Sequence, residues 1–191
     1  MALTTVRSTG ISSLPAISAA NLTSIPAANI TGTLPAISGA NLTGISGGKV
    51  LQVQSMNYST EVNRTSTSYG DTGVDDTITP SATSSKILVI ATIGEISIGN
   101  NGVTGIDMKL WRSIGASDTD LITQLTNDVG GFTTSNIYRD LPHVSCTYLD
   151  SPNTTSECRY RIAFKGNNTD TYVGVQQHSS TSSITLMEIG A

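Results

Sequence analysis

Charge is scarce in this chain of 191 residues, where Asp, Glu, Lys and Arg make up 13% against a usual quarter. That excludes a charged coiled coil and a charge-swollen disordered tail. Aromatic residues are equally thin at 5%. A net charge of −4 and a pI near 4.9 argue against nucleic acid or an anionic membrane as the partner. Long apolar runs are missing as well. The strongest, Ile87–Ile93, is interrupted by Thr92, and a membrane helix needs about 20 apolar residues, so no membrane insertion is expected. The opening MALTTVRSTG has neither the basic start nor the apolar core of a secretory signal. Asn-x-Ser/Thr triplets, as at Asn21 and Asn153, are therefore read as by-products of composition.

What the chain has instead is 25 Ser, 28 Thr and 18 Gly. Thr, Val and Ile punctuated by Gly and Asn favour strands and turns. The composition breaks near residue 48. Before it, Arg7 is the one charged residue and there is no aromatic; after it come all fourteen Asp/Glu, both His and both Cys. This predicts a domain boundary, with residues 1–13 and a repetitive stretch at 14–48 before it and a folded domain, the head, at 49–191.

The first part repeats itself. LPAISAANLTSI at Leu14–Ile25 returns as LPAISGANLTGI at Leu34–Ile45, with IPAANITGT at Ile25–Thr33 between them. Such a period marks units that stack on their neighbours. Its apolar row is Leu14, Ile17, Leu22, Ile25, Ile30, Leu34, Ile37, Leu42 and Ile45, and Pro15, Pro26 and Pro35 forbid a continuous helix. Burying this row would stabilise by about 13–27 kcal/mol in total. Ordering the backbone of residues 14–45 costs about 32–64 kcal/mol. One copy does not balance, whereas three chains wound together bury the row fully and add hydrogen bonds between chains. The competing reading is a flexible Ser/Thr/Ala/Gly linker.

From Lys49 onward, strand-like runs alternate with turns. Strands are expected at Lys49–Ser55, Val74–Thr79, Leu121–Thr126, His143–Leu149, Arg159–Lys165, Tyr172–Gln176 and Ser183–Ile189. Lys86–Ile98 reads as one central strand buried on both faces. Ile106, Met108 and Leu110 face one way, and Asp107, Lys109 and Trp111 the other. In Arg159–Lys165, Tyr160, Ile162 and Phe164 point inward. Asn127–Asp140 reads as a long loop. The whole predicts an all-β fold, an antiparallel jelly-roll-like β-sandwich. Cys146 and Cys158 flank the turn SPNTT, and a hairpin there would bring them within disulfide reach; without a secretion signal, two reduced thiols are expected during assembly, with a disulfide open to them outside a cell.

Chemistry is sparse. There is no nucleophile elbow, phosphate loop or His-Glu-x-x-His motif. Two distant His and two Cys form no zinc site, and no cofactor or metal is expected. His143 and His178 read as solvated loop residues. Asp75 and Asp76 fall on opposite faces of a strand. Asp118 and Asp120 in SDTD would share a face, most simply as turn residues. The chain thus reads as a binding protein rather than an enzyme. Its candidate contact residues are Phe132, Tyr138, Arg139 and Asp140 in the long loop, with the sole tryptophan, Trp111, exposed or facing a sister chain.

The repeat LPAISGANLTGI followed by GGKVLQVQS, with ITPSATSSKILVIATI, LDSPNTTS and ITLMEIGA, resembles the tail-fibre proteins of tailed bacteriophages. The resemblance implies a homotrimer with a slender amino-terminal shaft and a β-sandwich head that touches the host surface. It also implies a virion protein assembled in the host cytoplasm, held by tail or baseplate proteins through its amino terminus. Its head would bind a bacterial surface glycan or protein. A decoration protein of capsid or baseplate, with no receptor role, is the alternative.

The repeat yields a direct test. Ile30→Asp combined with Leu34→Asp is expected to abolish assembly of the full chain, read as loss of trimeric mass in light scattering. An unchanged mass would remove the interwound shaft.

Overall fold

The computed structural model describes residues 49–99, 102–103, 105–129, 132–133, 138–167 and 172–190. The chain divides into two units, Met1–Ile45 and Ser46–Ala191. The segment 1–13 and the repeat row from Leu14 to Ile45 lie outside the described residues.

The head is all-β and antiparallel, as expected. Its strands are β1 (Val50–Tyr58), β2 (Val62–Arg64), β3 (Gly70–Ile78), β4 (Lys86–Ile93), β5 (Ile96–Gly99), β6 (Gly102–Val103), β7 (Ile106–Ile114) and β8 (Ser117–Val129). They continue with β9 (Phe132–Thr133), β10 (Tyr138–Leu141), β11 (Val144–Asp150), β12 (Cys158–Gly166), β13 (Tyr172–Val175) and β14 (Ser182–Ile189). A 3-10 turn, Gln177–Ser179, precedes β14.

Two four-stranded sheets carry the fold, in the orders β1-β14-β4-β11 and β3-β12-β7-β8. Counting the eight long strands along the chain, the first sheet takes the first, eighth, third and sixth. The second takes the second, seventh, fourth and fifth, which is the jelly-roll arrangement. Four crossovers between these sheets, β1 to β3, β4 to β7, β8 to β11 and β12 to β14, carry the short strands; β6 and β9 pair with each other, and each crossover gives one further strand, β2, β5, β10 and β13 in turn. Those strands form a third sheet, ordered β10-β5-β13-β2.

Period-2 alternation builds the interior. Ile87, Val89, Ala91 and Ile93 of β4, with Ile184 and Leu186 of β14, meet Met108, Leu110, Tyr160, Ile162 and Phe164 in one buried cluster. Ile96, Ile98, Val173 and Val175 extend that cluster into the third sheet.

Three expectations need correction. Lys86–Ile98 is two strands in different sheets, broken at Gly94, whose N–H donates to Ser182 Oγ at 2.7 Å. A Cβ on Gly94 would stand 2.6 Å from Ser180 Oγ and 3.1 Å from the Thr181 carbonyl oxygen, so any other residue at the break forces Ser180 to move. Moreover β4 alternates between buried and outward positions, and its outward Leu88 and Ile90 are what make the run look doubly buried. Second, β11 and β12 are not a hairpin: β11 pairs with β4, while β12 pairs with β3 and β7. Cys146 therefore lies beside Ala91 and Cys158 beside Ile78 and Ile114, and both thiols are free. Burial pushes the Cys146 thiol up to about 11, which leaves it protonated and unreactive at neutral pH. Third, the long loop Asn127–Asp140 is partly strand: β8 runs to Val129, and β9 and β10 follow.

Two buried carboxylates tie these layers. Asp150 at the end of β11 accepts from Arg112 Nη1 of β7 at 2.6 Å and from Tyr160 Oη of β12 at 2.7 Å, joining the two main sheets. Glu188 of β14 accepts from Gln52 Nε2 at 2.7 Å, and from Ser81 N–H and Oγ at 2.7 and 2.6 Å. Burial would raise its pKa, but these hydrogen bonds dominate and hold it at about 2. A depressed carboxylate stabilises the fold above the unfolded-state value of about 4.3 and loses that contribution as pH falls through about 2. Glu188→Gln is therefore expected to lose about 1–3 kcal/mol at pH 7 and to flatten the decline in urea midpoint between about pH 4.3 and 2. An unchanged acid profile would contradict this role.

Candidate functional site

The outward face of the second main sheet holds most of the head's chemistry. Along β12 the buried Tyr160, Ile162 and Phe164 force Arg159, Arg161 and Lys165 outward. Along β7 the same alternation turns Asp107, Lys109 and Trp111 out, in register with them. Asp118 and Asp120 follow on β8 opposite Ser113 and Trp111, and Asp71 and Asp75 flank from β3.

These groups neutralise one another. Arg161 pairs with Asp71 at 3.1 Å and with Asp118 at 2.6 Å, and Arg159 Nε meets Asp75 at 2.7 Å. Lys109 meets Asp120 at 3.1 Å and Lys165 meets Asp107 at 3.4 Å. Asp118 and Asp120 do share a face, as ion-pair partners within a strand rather than as turn residues.

At the centre sits Trp111. Lys109 Nζ lies 4.2 Å and Arg161 Cζ 4.3 Å from its ring centroid, and the Tyr69 ring stands 6.2 Å away at 56°. Lys109 also lies 4.2 Å from the Tyr69 ring. Two cations over one indole compete with a flat ligand for its face. Trp111 Nε1, buried, has no hydrogen-bond partner among the described residues.

Beside this cluster, at the β7–β8 hairpin, opens a groove of about 490 Å³. It is lined by Ser113, Gly115, Ala116, Asp118, Ser156, Glu157, Arg159 and Arg161. Gly115 has φ +59°, the left-handed value that closes the tight hairpin. Guanidinium, carboxylate and hydroxyl groups within one concave surface suit a ligand rich in hydroxyls or one bearing a carboxylate. Arg161 belongs to both places, so groove and aromatic cluster form one continuous surface.

The residues singled out in the long loop fare differently. Phe132 lies in β9, paired with Val103, and Tyr138 and Arg139 lie in β10, paired with Gly99 and Ile98. Their side chains lie outside the described residues, while Asp140 is exposed. The structure thus places Asp140 on the third sheet and Trp111 on the second, not together. The groove went unnoticed because Ser113–Asp118 and Ser156–Arg161 have no shared local signature. Asp140 instead approaches Glu95 and His178, one ligand atom of each lying within 4.8 Å of the others. His178 Nδ1 is 3.2 Å from Glu95 Oε1. Two carboxylates and an imidazole are a donor set a divalent ion accepts, here in an exposed setting.

No protein-family model and no curated protein matches the chain. Among solved structures it is similar to the VP2 subviral particle of infectious bursal disease virus, at 13% identity and a TM-score of 0.33. That likeness covers 72% of this chain and 39% of the other. The Gx strain of the same virus matches at 13% identity and a TM-score of 0.27, over 72% and 41% of the two chains. The chain spans about two fifths of those proteins, and at such scores the likeness carries no functional argument.

The sole tryptophan reports on its own surroundings. Arg161→Ala removes a cation over the indole and two ion pairs, and is expected to cost about 1–2 kcal/mol of stability and shift Trp111 emission to longer wavelength. Emission unchanged in position would separate Arg161 from the ring.

Proposed function

We propose that this chain is a virion structural protein: a short homotrimeric fibre, with residues 14–48 as shaft, whose head attaches to a bacterial surface glycan. The observation that carries the reading is the pairing of two unlike parts in one chain. An uncharged repeat that cannot be stable as a single copy precedes a jelly-roll head that presents a polar groove beside an aromatic and cationic cluster. Jelly rolls serve as capsid and lectin domains alike, and both uses need a rigid sandwich that displays one surface.

Recognition in this reading is made by Arg159, Glu157 and Ser156 in the groove, which would donate to and accept from sugar hydroxyls without covalent chemistry. Each head binds weakly, and three linked heads convert weak contacts into firm adsorption. The acidic chain is steered by complementarity at the groove rather than by bulk attraction to the negatively charged cell envelope. Residues 1–13 would join the fibre to tail or baseplate proteins.

The full chain, labelled with a fluorophore, is expected to bind intact host cells, with Arg159→Ala reducing binding at least tenfold while leaving the mass unchanged. Cells stripped of surface polysaccharide by periodate should lose the binding. Absence of binding by the wild-type trimer would favour the decoration protein. Binding that survives periodate but not protease would move the receptor from glycan to protein.

A further inference from the structure

The two outward faces of the sandwich are opposites. On the second sheet stand Asp71, Asp75, Asp107, Asp118 and Asp120 against Lys109, Arg159, Arg161 and Lys165. On the first sheet, outward positions form three successive rows across four strands. They are Val53, Met187, Leu88 and Leu149; then Ser55, Thr185, Ile90 and Thr147; then Asn57, Ser183, Thr92 and Ser145. No row contains a charge, and Lys86 of β4 stands at their border.

Every exposed large hydrophobic among the described residues lies on this sheet: Val50 at 56%, Leu51 at 46%, Val53 at 50%, Ile90 at 38% and Leu149 at 50%. A β-sandwich that faced water on both sides would alternate to charged residues on both, as this one does on the second sheet.

We propose that this uncharged face is covered by sister copies of the chain, the three heads turning it toward one common axis. Three features select that occupant. Apart from the apolar row and Ile90, the face carries hydroxyls and one amide, groups that both donate and accept, so it is complementary to itself whatever the angle of approach. A charged partner would instead leave its charges unpaired on contact. And the apolar edge begins at Val50, two residues after the uncharged repeat ends at Gly48, so copies joined through their repeats present these edges at high effective concentration.

Size agrees with a tethered contact. Four strands about 4.8 Å apart and eight residues of about 3.3 Å give a face of about 500 Å². A free-standing interface needs about 800 Å² per partner. The face is therefore a weak contact alone and an effective one between linked heads. This inference rests on the trimeric reading above.

The test uses the full chain with Leu149→Cys on the face and, as control, Thr123→Cys at an exposed position of the second sheet. Reaction with a maleimide is followed beside light scattering, with labelling of the two native thiols subtracted. Trimeric mass with Cys at 149 labelled at least tenfold more slowly than at 123 supports the inference. Val53→Glu with Leu149→Glu, both at exposed positions, should then raise the concentration of half-dissociation at least tenfold. Trimeric mass with equal labelling overturns the inference and leaves the trimeric shaft standing. Monomeric mass with rapid labelling overturns both. Monomeric mass with slow labelling also overturns it, because residues 1–48 of the same chain would then be the cover.

Discussion

The buried carboxylate of Asp150 sets the terms on which the two sheets meet. It comes from β11 of one sheet, and both of its partners, Arg112 and Tyr160, come from the other. A charge taken out of water is tolerated only where its hydrogen bonds are complete, and loss of one partner leaves an uncompensated charge. The phenol of Tyr160 is held well above its usual range, first by burial and then by donation to Asp150. The sheets are thus fixed in register at one end of the sandwich. That end is where the chain turns from Asp150 to Cys158 and supplies Ser156 and Glu157 to the groove. The groove depends on where this buried pair stops β11.

The polar chemistry is divided by layer. Inside, single acids are matched by specific donors. On the second sheet's outer face, acids and bases interleave so closely that most charge is neutralised in place. Exposed pairs of this kind contribute little individually, about 0–1 kcal/mol. Their arrangement matters more for shape, because Lys109 and Arg161 are held over Trp111 and Tyr69 while Arg159 and Glu157 remain at the groove. On the first sheet the three outward rows carry no charge, and Lys86 stands at their border. A single fold therefore presents one densely charged face and one nearly without charge.

Legibility from sequence followed the range of the interaction. The alternation in Arg159–Lys165 and Ile106–Trp111 is local, and both strands and their inward residues were readable. The all-β class followed from Thr, Val and Ile between Gly and Asn clusters. Lys86–Ile98 was misread because its break depends on Gly94 meeting Ser180 and Ser182, almost ninety residues away in the chain. Cys146 and Cys158 looked like a hairpin pair because nothing local says that the chain changes sheets at Ser151–Glu157. Asp150 and Glu188 are single acids in apolar strands, with donors 10 to 136 residues distant, and gave no local sign. The groove is assembled from two turns on different connections, which spacing alone does not bring together.

The topology also shifts attention from one end of the sandwich to the other. A jelly roll gathers four crossovers at one end, and loops there are the natural first candidates for recognition. Here each crossover spends part of its length as a strand of the third sheet, so Tyr138, Arg139 and Asp140 belong to a hydrogen-bonded ladder. The groove instead sits at the hairpin end, where strands β7, β8 and β12 hold Ser113, Asp118, Arg159 and Arg161 directly, and Ser156 and Glu157 come from the turn that leads into β12. Groups fixed on paired strands lose little conformational freedom when a ligand arrives. In the proposed trimer that matters more than the strength of any single contact, because avidity multiplies whatever small affinity a preorganised surface retains.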